Sequence, residues 1–134
     1  MGVNDTARVR IPRMQQQRVV RAFPVQAGRE QTVSAFVKEL SGARAREARA
    51  FYEKFGIAQE CWFQQHTAHG MLVIAITDFS GRTPDDAATD YAASTAPFEE
   101  WFKDQVLEIT GVDPAKAPLG PPTSCIFDWP PQRP

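Results

Sequence analysis

The stretch ECWFQQHTAHGMLVIAITDF, Glu60 to Phe79, decides how this chain is read. It holds both histidines, one of the two cysteines and the longest apolar run, Met71 to Ile76. Glu60 to Thr67 alternates as a strand, Ala68-His69-Gly70 has the chemistry of a turn, and Met71 to Phe79 is a second strand. The two are expected to pair as a β-hairpin. The second strand does not alternate. A strand covered on one face reads apolar-in, polar-out, so Met71 to Ile76 calls for cover on both faces.

Upstream, RVVRAFPV (Arg18 to Val25) is β-rich and is broken by Pro24 and Gly28. QTVSAFVKELSG follows, with Val33, Phe36, Val37 and Leu40 at helical spacing. Gly42 ends or kinks that helix. ARAREARAFYEKFG then puts Ala48, Phe51, Tyr52 and Phe55 on one face and Gly56 just past its end. Downstream, SGRTPDD is a loop and Pro84 to Ala93 a helix of small residues. PFEEWFKDQVLEITG is the strongest helix, with Pro97 in its first turn and Gly111 at its end. Its stripe is Phe98, Trp101, Phe102, Gln105 and Ile109. DPAKAPLGPP (113 to 122) reads as a rigid linker, and TSCIFDW (Thr123 to Trp129) as a last strand. The order β-α-β-β-α-β predicts a ferredoxin-like α+β fold: four antiparallel strands with the helices on one face. The domain is expected over 17–130, preceded by a disordered basic tail over 1–16 (Arg8, Arg10, Arg13).

Bulk properties narrow the partners. The 134 residues fit one domain, and 43% hydrophobic residues are enough for a core. A formal net charge of −1 gives no reason for the whole molecule to seek nucleic acid or an anionic membrane. The longest apolar run is far too short to span a bilayer. The N-terminal MGVNDTARVRIPRMQQQ lacks the apolar segment of a secretory signal, so a cytoplasmic, reduced setting is expected. Cys61 and Cys125 make neither a disulfide framework nor a CxxC zinc site and read as buried small hydrophobes.

The unalternating strand also predicts a homodimer. Helices cover only one face of the sheet, and the simplest cover for the other is the same sheet from a second copy. The element order, the run ELSG…FGI…E-x-W-x-Q-Q (Glu39 to Gln65) and the run PFEEWFKDQVLEITGVD (Pro97 to Asp113) resemble the dimeric α+β barrel superfamily over about residues 18 to 129. That superfamily includes antibiotic-biosynthesis-monooxygenase-like and stress-responsive α/β-barrel proteins, and the likeness is greatest to uncharacterised bacterial members. It implies that two sheets close into a dimeric barrel and that a ligand sits between the sheet and the helices of each subunit. Because the superfamily spans many activities, it narrows function little.

For chemistry, the alternation of the first hairpin strand places Trp62, Gln64 and His66 on one face and Cys61, Phe63 and Gln65 on the other. If the first face meets the helices, Trp62 is an aromatic platform, Gln64 an amide, and His66 the acid/base. If not, Gln64 and His66 belong to the dimer interface. Tyr52 and Trp101 complete an expected aromatic or apolar ligand site. His66 and His69, spaced H-x-x-H, fall on opposite faces of a continuous strand, so no metal site is expected. No cofactor motif is present. Arg44, Arg46 and Arg49 read as a solvated helix face. Asp85-Asp86 and Glu99-Glu100 suit the first turns of helices. Three functions stay open: an apolar-ligand-binding protein, a cofactor-independent monooxygenase or polyketide-cyclase-like enzyme, and a non-catalytic regulatory module. The only asparagine is Asn4, and both histidines lie in or beside the hairpin turn. Both facts count against the superfamily's quinone-forming oxygenases and its haem-degrading members.

Overall fold

The computed structural model describes residues 16–131; the expected basic tail lies almost wholly outside them. The elements are β1 (Gln16–Pro24), α1 (Glu30–Ser41), α2 (Ala45–Lys54), β2 (Ile57–Thr67), β3 (Gly70–Ser80), α3 (Pro84–Ala93) and α4 (Pro97–Thr110). The hairpin forms as the sequence predicts. β2 and β3 pair antiparallel with Thr67 opposite Gly70, and the Thr67 hydroxyl ties the two-residue turn by donating to the Gly70 carbonyl at 2.7 Å. β1 pairs antiparallel with the other edge of β3.

The expected four-stranded ferredoxin-like sheet and barrel are not what forms. The sheet has three strands in the order β1-β3-β2 and is open. Thr123 to Trp129, expected as the last strand, makes no ladder. The reason is local. Pro121 and Pro122 precede the segment and Pro130 and Pro131 follow it, so the two flanking positions on each side offer no N–H. Thr123 spends its contact with β1 on a side-chain bond, its hydroxyl donating to the Val20 carbonyl at 2.6 Å. Ile126, Phe127 and Trp129 stand 94%, 80% and 79% exposed. Without a fourth strand β1 becomes an edge and β3 the central strand. That position accounts for the unbroken apolar run of β3, which has a helix-facing side (Met71, Val73, Phe79) and an outward side (Leu72, Ile74, Ile76).

Helix ends follow their sequence signals. Thr83 caps α3 by accepting from the Asp86 N–H, with Pro84 behind it. Gly111 closes α4 in the left-handed region at φ 77°, which a residue with a Cβ enters only under strain. The acidic first turn of α4 is more than a dipole match. Glu99 is only 5% exposed and accepts from Lys54 Nζ at 2.8 Å. Lys103 is also buried, donating to the Ala92 and Ser94 carbonyls at 3.2 and 2.6 Å and so fastening the end of α3 to α4.

The core lies between the inner sheet face and the helices and is mostly aromatic. Phe102 of α4 stacks on Phe51 of α2 with centroids 4.7 Å apart and meets Phe36 of α1 edge-on at 5.0 Å. Arg44 departs from the expected solvated face: its guanidinium lies over the Trp101 ring at 4.2 Å. Cys125 is exposed rather than buried, and both thiols are free. No helix among the described residues is long and apolar enough to cross a membrane.

Candidate functional site

Between the inner sheet face and the helices lies a cavity of about 280 Å³. Its floor is the sheet: Arg21 and Phe23 from β1, Ala75 and Thr77 from β3, Glu60 and Trp62 from β2. Its roof is helical, with Phe36, Phe51, Tyr52, Tyr91 and Phe102. The space exists because small side chains stand where large ones would fill it: Ala75 in mid-floor, Ala87 and Ala88 on α3. A β-bulge between Ile57 and Gln59 shifts the phase of β2, so Ile57 faces inward together with Glu60 and Trp62.

Among the described residues Glu60 is the one acid in this lining, and three donors converge on it. Thr77, its cross-strand partner, donates through its hydroxyl to Oε1 at 2.8 Å. The Trp62 indole N–H donates to Oε2 at 2.8 Å, and the Tyr52 hydroxyl reaches the same oxygen at 3.5 Å. Burial pushes the Glu60 carboxyl above the usual carboxylate range, against these hydrogen bonds, which favour the charged form. Burial, reinforced by the nearby Glu60 charge, also pushes the Tyr52 and Tyr91 phenols up. Both phenols are therefore held in the protonated form, and Tyr52 donates to Glu60. The site joins an apolar, aromatic enclosure to a single carboxyl group whose protonation is set by desolvation.

The structure separates the residues expected in the site. Trp62 and Tyr52 line the cavity and both touch Glu60. Trp101 packs on the far side of Phe36 with centroids 5.4 Å apart and is not in the lining. Gln64 and His66 share the strand face of Trp62 but lie further along β2, where the hairpin runs past the helices; both are exposed and outside the lining. His66 is thus not placed to act as acid or base on anything the cavity holds. His69 is exposed in the turn, as expected. No group of three or more His, Cys, Asp or Glu side chains converges among the described residues.

Glu60 was legible in part. The alternation that groups Trp62, Gln64 and His66 places Glu60 on the same face two residues earlier, and a carboxylate on an aromatic inner face is a strong signal. Arg21 carries the same signal on β1. No family model, curated protein or solved structure matches the chain.

Proposed function

We propose that this protein binds a small apolar, ring-bearing molecule in the cavity between sheet and helices, with the Glu60 carboxyl as its polar anchor. The observation that carries the reading is a single hydrogen-bonded carboxyl group inside a mostly aromatic and aliphatic enclosure of about 280 Å³. A core polar group with only a structural role needs no adjoining space; Glu60 has it. A planar ring stacks among Trp62, Phe36 and Phe102, and one O–H or N–H of the ligand donates to Glu60. The test is calorimetric titration with 2-naphthol, a planar probe with one donor. One-to-one binding is expected, weakened about tenfold or more when naphthalene replaces it, the loss of a hydrogen bond to a charged acceptor. Ala75→Phe, which fills the mid-floor, is expected to abolish binding while leaving the melting temperature unchanged or raised. Retained binding in that variant places the ligand elsewhere and ends the reading.

The buried, hydrogen-bonded Glu60 favours a second reading, in which the same site abstracts a proton from a bound carbon acid, as a cyclase or cofactor-independent oxygenase requires. Glu60, not His66, is the base. Deuterium exchange at the α-carbon of 2-tetralone, followed by NMR in D2O, separates the two: catalysed exchange lost in Glu60→Gln supports the enzyme, and exchange at the solvent rate refutes it.

Self-association belongs to the same proposal. The outward side of the open sheet presents Leu72, Ile74, Ile76 and Phe63, the last 55% exposed. Beside its β1 edge the same chain displays Ile126, Phe127 and Trp129. Two complementary apolar patches on one molecule suit a two-fold interface with a second copy. Light scattering of the full chain is expected to give twice the 15.0 kDa chain mass. The double variant Phe127→Asp, Trp129→Asp is expected to give the single-chain mass, and a wild-type monomer contradicts the idea.

A further inference from the structure

We propose that Arg21 is the second pole of the cavity and that its ligand is an anion: an apolar, ring-bearing carboxylate with a hydrogen-bond donor at the end remote from the carboxylate. This rests on the reading of the cavity as a ligand site and names the class of ligand it selects.

Arg21 and Glu60 are the only charged side chains in the cavity lining among the described residues. Arg21 sits in mid-β1 on the inward face, flanked there by Val19 and Phe23, and is half-buried. Arginines elsewhere in the fold are matched. Arg18 holds Asp78, Arg29 holds Glu108, Arg44 holds Glu47, Arg49 holds Glu53 and Arg82 holds Asp90. Arg46, exposed on α2, has no carboxylate among the described residues, as a solvated arginine needs none. Arg21 also has none within ion-pairing distance among the described residues, yet its side chain lines an apolar enclosure. Its one hydrogen bond is a long one, Nη1 to the Val20 carbonyl at 3.3 Å. A guanidinium carries five N–H donors in a planar fork shaped for a carboxylate, so most of this group's capacity is uncommitted.

The ladder shows why Glu60 is not its partner. Arg21 stands in the row Arg21–Ala75–Trp62, and Glu60 in the next row, Val19–Thr77–Glu60. Two strand spacings across and two residues along separate their Cα atoms by about 12 Å. Both side chains rise from the same sheet face, with Ala75, the smallest side chain of the floor, between Arg21 and Trp62. The cavity therefore has a cationic end at the β1 edge, an anionic end at β2 and a flat apolar floor between them. A rigid ring system with a carboxylate at one end and a hydroxyl at the other meets both ends at once. A neutral hydrocarbon leaves both unmet, and a dicarboxylate sets one charge against Glu60.

The probes are 6-hydroxy-2-naphthoate, its methyl ester and 2-naphthol, titrated at pH 7 into the full chain by calorimetry. The acid is expected to bind at least tenfold more tightly than the ester, which has the same ring and hydroxyl but no charge. Arg21→Met is expected to erase that preference, with an unchanged far-UV circular dichroism spectrum and a cooperative melt showing that the variant is folded. Arg21→Lys, a point charge without the fork, is expected to restore only part of it. Equal binding of acid and ester by the wild type overturns the assignment, as does a preference that survives in Arg21→Met; 2-naphthol binding then leaves the wider ligand reading standing. Failure of all three probes to bind overturns both.

Discussion

Phe102→Ala is expected to lower stability by about 3–5 kcal/mol, the range for removing a buried aromatic ring. Phe102 is the hinge of the aromatic core. It stacks on Phe51, meets Phe36 edge-on, and has Tyr91, Phe98 and Trp62 rings around it at centroid distances of 6.2, 6.2 and 6.4 Å. Through those contacts it joins α4 to α1, α2, α3 and the sheet. Its loss also enlarges a cavity that already exists, so neighbouring side chains meet open space where they would otherwise collapse inward. For a domain of this size the melting temperature is expected to fall by on the order of 10–20 °C. Urea denaturation monitored by tryptophan fluorescence gives the free energy directly. A loss below about 1 kcal/mol would mean that the helices are held to the sheet by other contacts.

Glu60 is expected to make stability depend on pH in the direction opposite to a salt-bridged acid. Burial raises its carboxyl above the ordinary value of 4.5, so between that value and the folded-state value the native protein binds more protons than the unfolded chain. This group's contribution is therefore fully present below about pH 4.5 and is lost as pH rises through the folded-state value. Glu60→Gln removes the titration and keeps the network. The amide oxygen accepts from Trp62 and Tyr52, and the Thr77 hydroxyl turns to accept from the amide NH2. The variant is expected to gain on the wild type steadily from pH 4.5 upward, read as the difference in melting temperature across a pH series. A difference that does not change with pH would show that the hydrogen bonds from Thr77, Trp62 and Tyr52 fully offset the burial of the carboxyl. Glu60→Ala is a separate case. It strands three buried donors, each costing about 1–3 kcal/mol, and is expected to destabilise at every pH.

Much of the fold was written in local signals. Gly56 and Gly111 stop helices where a left-handed residue is needed, Pro84 and Pro97 open them, and the hairpin turns at Ala68 and His69. The last strand was misread because TSCIFDW has the residues of a strand. Whether such a segment joins a sheet depends on the N–H groups around it, and prolines on both sides remove them. The site was half legible. Trp62 and Tyr52 do line the cavity, whereas His66, a conspicuous titratable group of β2, does not; the titratable group of β2 that faces the cavity is Glu60. Period-two alternation assigns a side chain to a face. It does not say how far along that face the helices extend, and His66 lies past their end.

The sequence alone determined the first three strands, the helices between and after them and most helix ends, and it sorted the side chains of β2 into two faces, because these depend on contacts within a few residues; it did not determine which face of β2 meets the helices. Tertiary structure alone decided three things. It made β1 an edge, because no fourth strand reached it. It opened a cavity over Ala75, because the roof is built from rings on four helices that meet only in the folded chain. It set Glu60 beside Thr77 and kept it about 12 Å from Arg21, because strand register, a relation between residues 17 to 58 positions apart, determines which charges meet and which are left for a ligand.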